Sequence, residues 1–305
     1  MELTEILRLA IAQNTADVLF VAGLPVTCKV RGKLTRLDET GTLFPQHIEE
    51  IVNVMYGFAG RERDVLDATG EDDFSFAIRE LSRFRVNVLK QRGSLAAVIR
   101  IVSFKLPDYH EMGIPDNVME FAKTTKGLVL VSGPAGSGKT TTLACIIKAI
   151  NDSREVHIIT IEDPIEFLHR HNKSIVTQRE LSIATLSYDA ALRAALRQAP
   201  DVLLLGGMRD HETIKAVITA AETGHMIIST LHTVGAANTI ERIIDIFPPG
   251  QQQQIRIQLS MVLQCIISQQ PLPTADGRIV PAFEIMACNA DISNMIREAT
   301  GPQLE

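Results

Sequence analysis

Residues 133–140 read Gly133-Pro134-Ala135-Gly136-Ser137-Gly138-Lys139-Thr140, with Thr141 next. An apolar run at 128–131 precedes them and a helical pattern over 140–150 follows. Strand, glycine-rich turn and helix in that order make the G-x-x-x-x-G-K-[ST] phosphate loop. Its glycines let successive backbone N–H groups converge on an anion at a helix N-terminus, where the helix dipole also favours negative charge. Lys139 adds a full positive charge, and the Thr140 hydroxyl is suited to a divalent cation. The pattern predicts a nucleoside triphosphate, ATP with Mg²⁺, held by Gly133, Pro134, Ala135, Gly136, Ser137, Gly138, Lys139, Thr140 and Thr141.

The rest of the chain narrows the class. Its 305 residues are 46% hydrophobic with mean hydropathy +0.12, enough for two domains with real cores and no sign of disorder. A formal net charge of −6 and a pI near 5.8 disfavour general nucleic-acid binding, which needs basic surface to neutralise phosphates. No apolar run reaches the roughly 18–20 residues of a membrane span, and the N-terminus has no signal-peptide pattern, so the sequence reads as cytoplasmic. Cys28, Cys145, Cys265 and Cys288 are scattered, without a C-x-x-C pair, and are expected as buried thiols.

Organisation changes near residue 104. Before it, strand-like runs at 17–21, 26–30, 73–78, 83–89 and 96–102 and a helical pattern at 45–58 predict a small α+β domain over 1–103. Pro107, Gly113 and Pro115 punctuate 104–115 as a linker. From 116 to 305, strand-like runs at 128–131, 156–161, 202–205 and 226–230 alternate with helices, so the fold class is α/β with a largely parallel sheet. After Pro248-Pro249-Gly250, Gln251 to Gln254 begin a predicted helix that carries Ile255, Ile257, Leu259 and Leu263.

Two acidic or polar strand ends complete the candidate site. Ile159-Thr160-Ile161-Glu162-Asp163-Pro164-Ile165-Glu166 places three acids at a C-terminal strand edge, where open α/β sheets bind ligands, and Glu162 is the candidate for Mg²⁺ or its waters. The bland reading is a solvated turn before Pro164. After 201–205 comes Gly206-Gly207-Met208-Arg209-Asp210, where a carboxylate to activate water is expected. Asp210 and Glu212 read as a helix start, since acids suit the N-terminal dipole. His225 and His232 stand at opposite ends of one predicted strand, and packed, hydrogen-bonded imidazoles explain them as well as chemistry does. Arg85 and Arg100 lie on alternating strands, where a solvent-facing charge is the default.

Taken together, GPAGSGKTTTLA, TIEDPIEF, LRQAPDVLLLGGMRD, AAETGHMIISTLHT and IFPPGQQQQIRIQLS resemble, in order, the secretion ATPases, most closely those that retract type IV pili in twitching motility. The match spans 17–298. It implies a PAS-like N-terminal domain before a RecA-like ATPase domain, and six copies in a ring working with the pilin machinery and inner-membrane platform, peripherally associated with that membrane and without nucleic acid. It further implies an acidic box at 159–166, a histidine box holding His225 and His232, and Arg85 and Arg100 reaching nucleotide phosphates, so the catalytic set is Glu162, His225, His232, Arg85 and Arg100. The run 291–298 is similar to the retraction motif AIRNLIRE, with Asp291 and Ser293 departing from it. The extra N-terminal domain and tetracysteine zinc site of the assembly ATPases are not visible in it. Two further departures stand: the family's helical C-terminal segment is shortened at Glu305, and Gly207 replaces the glutamate of GEMRD. With Gly207 there are two readings, a hydrolysing ring motor and a hydrolysis-poor regulatory or co-assembling paralogue.

Overall fold

The computed structural model describes residues 2–30, 33–102, 106–181, 185, 187–208, 210–274 and 279–299. Two compact units divide the chain, Met1–Phe104 and Lys105–Glu305. The boundary read at 103–104 falls outside the described residues, whereas the described part of the linker belongs to the second unit, where Ile114 is buried and Cys145 Sγ approaches the Pro107 carbonyl at 3.6 Å.

In the first unit, α1 (Leu3–Ala12), β1 (Asp17–Val21), β2 (Thr27–Val30), β3 (Lys33–Arg36), α2 (Pro45–Ala59), α3 (Asp64–Thr69), β4 (Glu71–Ile78), β5 (Ser82–Gln91) and β6 (Ser94–Val102) follow in order. The strands form an antiparallel sheet in the order β3-β2-β1-β6-β5-β4, a PAS-like arrangement. Burial alternates along β1, β4 and β5 because one face is covered. Phe20, Phe74 and Phe84 from that face meet Ile6 and Leu7 of α1 and Ile48, Val52 and Met55 of α2 in one core. Fully burying such side chains stabilises the fold by about 1.5–3 kcal/mol each.

The second unit continues with α4 (Asp116–Met119), β7 (Gly127–Ser132), α5 (Lys139–Ser153), β8 (His157–Glu162), β9 (Ile175–Glu180), α6 (Tyr188–Ala195), β10 (Val202–Leu205), α7 (His211–Glu222), β11 (Met226–Leu231), α8 (Ala236–Asp245), α9 (Pro249–Val262), β12 (Leu263–Pro273), β13 (Ile279–Ala287) and α10 (Ala290–Glu298). Its sheet order is β13-β12-β7-β11-β10-β8-β9, parallel except for the β12–β13 hairpin, which gives the RecA-like core. Helices cover both faces, so β7, β10 and β11 are buried at every position and read as continuous apolar runs. Leu263 departs from expectation: the helix closes at Val262 and Leu263, in extended backbone, opens β12. Cys28, Cys145 and Cys265 are buried thiols and Cys288 is partly exposed.

Candidate active site

The predicted loop leaves the C-terminal end of β7 and enters α5 at Lys139. Gly138 caps the helix at φ +90°, and Gly133 sits at φ +140° with no room for a side chain: a Cβ there would lie 2.1 Å from the Gln269 carbonyl oxygen of β12. The turn is therefore wedged between β7 and β12. Lys139 is buried and curls back, its Nζ donating to the Gly133 carbonyl at 2.7 Å and the Pro134 carbonyl at 2.8 Å. Burial holds its pKa below the usual lysine value, against the opposing pull of Glu166. The buried hydroxyls of Ser137 and Thr142 have no hydrogen-bond partner among the described residues.

Across from this loop stands the end of β8. Glu162, its last residue, is only 9% exposed. Its Oε1 accepts from Thr160 Oγ1 at 2.6 Å and from Gln178 Nε2 of β9 at 3.1 Å. Burial pushes the carboxyl up to about 7, Glu166 and Glu180 push the same way, and the two donors pull it down. A cleft of ≈ 240 Å³ separates the two walls, lined among others by Lys139, Thr140, Glu162, Glu166, His169 and His232. His169, whose Nδ1 is buried without a partner among the described residues, has its pKa lowered to about 4 by burial. A second pocket of ≈ 150 Å³ flanks the loop on its Thr141 side, with Met112, Ile114, Pro271 and Pro281 in its wall.

The remaining candidates are distributed unevenly. His232 follows β11 into the cleft, whereas His225 stands before the strand's other end, about 20 Å of strand away at ~3.3 Å per residue, facing the Ala220 carbonyl and the Thr223 hydroxyl at 3.1 Å each. His225 does not line the cleft. Arg85 and Arg100 belong to the first unit, opposite one another on β5 and β6, and Arg100 Nε donates to Asp17 Oδ1 of β1 at 2.8 Å. Gly207 is buried just past β10, beside Gly206, whose Cα would carry a Cβ 3.4 Å from the Glu162 backbone. Arg209 lies outside the described residues. Asp210 caps α7, accepting from the Thr213 N–H at 2.8 Å. Thr160, His169 and Gln178 escaped the sequence reading. Only the alternation of the 175–180 strand could have pointed to Gln178, and it is weak.

The type II/IV secretion system protein family matches residues 63–290. The chain belongs to that family. This secretion-system protein is 41% identical to the type IV pilus retractation ATPase PilT of Pseudomonas aeruginosa over 98% of its own length and 86% of that protein. It is 42% identical to a twitching motility protein of Neisseria gonorrhoeae, covering 96% of this chain and 78% of the other. Among solved structures, the pilus retraction motor PilT with bound ADP superposes with a TM-score of 0.92 at 44% identity, over 99% of this chain and 88% of that one.

The residues of the secretion-system protein fit a magnesium nucleotide. The glycine cradle and unpartnered buried hydroxyls suit an anion at the α5 N-terminus, and the Thr140 hydroxyl shares a cleft with the Glu162 carboxylate. Among the described residues no group of three or more His, Cys, Asp or Glu side chains gathers as a metal cage. The Thr140 hydroxyl and the Glu162 carboxyl, two protein oxygens beside a phosphate cradle, are a donor set that suits Mg²⁺, which keeps waters and takes one or two protein oxygens beside phosphates.

Proposed function

We propose that this chain is an ATP-binding and ATP-hydrolysing motor of the type IV pilus that powers retraction in twitching motility. The observation carrying the reading is the wedged phosphate loop, with Lys139 and Thr140 facing Glu162 across one cleft, in a chain alike to pilus retraction motors over nearly its whole length. The loop from Gly133 to Thr141 wraps the phosphates through the backbone N–H groups of its residues other than Pro134, and Lys139 exchanges its two carbonyl partners for phosphate oxygens. The Thr141-side pocket takes the nucleoside. Thr140 and Glu162 would hold Mg²⁺, which when bound would supply neutralisation of charge on the phosphates. His232 and Glu166 face the same space, and Arg85, Arg100 and His225 act on nucleotide when subunits close into a hexameric ring, the state in which the motor engages the pilin machinery and platform at the cytoplasmic side of the inner membrane. No helix among the described residues is long and apolar enough to cross a membrane.

Gly207 removes the carboxylate expected to position water, so Glu162, Asp163 and Glu166 are the carboxylates that line the cleft among the described residues. Relatives described as a retraction ATPase and a twitching-motility protein favour the motor over the regulatory paralogue that Gly207 raised. The test is nucleotide binding by calorimetry and ATP turnover in parent and Lys139→Ala, with light scattering in nucleotide. Binding should fall about 10- to 100-fold in the variant, from ~1.4 kcal/mol per tenfold and a charge-assisted contact of about 1.5–3 kcal/mol. Equal affinity in both would sink the assignment, and a strict monomer would sink the ring.

A further inference from the structure

Gln178 is a half-buried polar residue on β9, the edge strand beside β8. Its carboxamide is fully employed. Oε1 accepts from the His169 backbone N–H at 2.8 Å, while Nε2 donates to the Phe167 carbonyl at 2.9 Å and to Glu162 Oε1 at 3.1 Å. Chemistry fixes which way the amide lies: turned over, it would set an oxygen against a carboxylate and a carbonyl, and an NH₂ against an N–H. Thr160 Oγ1 donates to the same Glu162 oxygen at 2.6 Å. One oxygen of Glu162 is thus held by two donors from two strands, and among the described residues its other oxygen accepts no hydrogen bond. The carboxylate is half anchored and half available, in a wall of the cleft that holds Lys139 and Thr140.

We propose that Gln178 is a positioning residue: together with Thr160 it pins Glu162 Oε1 so that Oε2 is presented to the metal and water of the bound nucleotide. This rests on the reading of Glu162 given above. A glutamate at the end of a strand has three side-chain torsions, and ordering them before the ligand arrives is what an outer hydrogen-bond partner supplies. Gln178 also ties the 164–169 turn through Phe167 and His169, so a purely architectural role is the rival. The two differ in what they disturb. An architectural role supports every property of the cleft alike, whereas a positioning role acts through Glu162 and leaves the phosphate-loop contacts intact.

The experiment uses the full chain with Gln178→Ala and Gln178→Glu. The readouts are binding of a fluorescent ADP analogue with Mg²⁺ and with Mg²⁺ chelated, and steady-state ATP turnover across a Mg²⁺ series. Outer partners of metal-binding carboxylates typically contribute about 10- to 100-fold. The expected result for Gln178→Ala is metal-free binding within about twofold of the parent, a Mg²⁺ requirement raised about 10- to 100-fold, and kcat lowered by a similar factor with KM within about threefold. Gln178→Glu should be worse, because it turns both donor contacts into acceptors against a carboxylate and a carbonyl. An unchanged Mg²⁺ requirement overturns the proposal, and so does loss of metal-free binding in step with kcat. If neither variant folds, Thr160→Val and Thr160→Ser ask the same of the other donor: Ser should restore what Val loses, and equal Mg²⁺ dependence in the two overturns the proposal. A parent that binds no nucleotide fails the functional reading itself; a parent that binds and turns over beside unaffected variants fails only this inference.

Discussion

The two walls of the cleft are built by different means. The phosphate-loop wall is made of backbone: positive-φ glycines, inward carbonyls and amides, and a lysine folded onto its own loop. The acidic wall is made of side chains borrowed from three places, Glu162 and Thr160 from β8, Gln178 from β9 and His169 from the turn between them. Backbone walls tolerate almost no change of residue type where a Cβ has no space. Side-chain walls tolerate substitution in shape and fail in charge and proton balance.

The sharpest way to break this contrast is Gly133→Ala. A methyl group 2.1 Å from a β12 carbonyl, at φ +140°, forces backbone apart, and the expected loss is about 4 kcal/mol or more, read as a drop in the urea midpoint. A loss within 1 kcal/mol would mean the loop is not wedged. The acidic wall answers instead to pH. His169 titrates near 4 when folded and near 6.5 when unfolded, so its contribution is fully present above pH ~6.5 and is lost as pH falls toward 4. Between pH 7 and pH 5 that amounts to about 2 kcal/mol, and His169→Gln should flatten this stretch of the stability profile. An unaltered slope between those pH values would place the acid sensitivity elsewhere. The smallest expected effect is Gly207→Glu, which returns a carboxylate beside the acidic wall. Single-turnover hydrolysis should rise at least about tenfold, or ~1.4 kcal/mol of barrier, with nucleotide affinity nearly unchanged. An unchanged rate in a folded variant would show that another group already serves the water.

The same contrast explains what could be read from residues alone. A loop that depends on positive φ and close backbone approach demands glycine at set spacings, so Gly133 to Thr141 were legible, as were the fully buried strands β7, β10 and β11 and the nearly buried β8. Gln178 was not, because its role arises only when β9 pairs in register with β8, Gln178 opposite Thr160, and its strand is half exposed without clear alternation. Helix α1 and strand β3 were also missed, the latter because all four residues are exposed on an edge. The strand β12 was hidden behind α9, since an apolar run that begins without a turn residue looks like the continuation of a helix until packing against β7 decides otherwise. His225 and His232, read at opposite ends of one strand, do stand a strand's length apart.

The curled Lys139 has a consequence for selectivity. Its buried ammonium already donates to two carbonyls, so the cleft meets a newcomer with that charge solvated by its own loop rather than by water. A nucleoside without phosphates offers nothing for which that lysine would leave its carbonyls, while a di- or triphosphate replaces two neutral acceptors with charged ones, with the lysine already largely dehydrated. Discrimination between the two is thus written into the resting conformation of one side chain, before any ligand is touched.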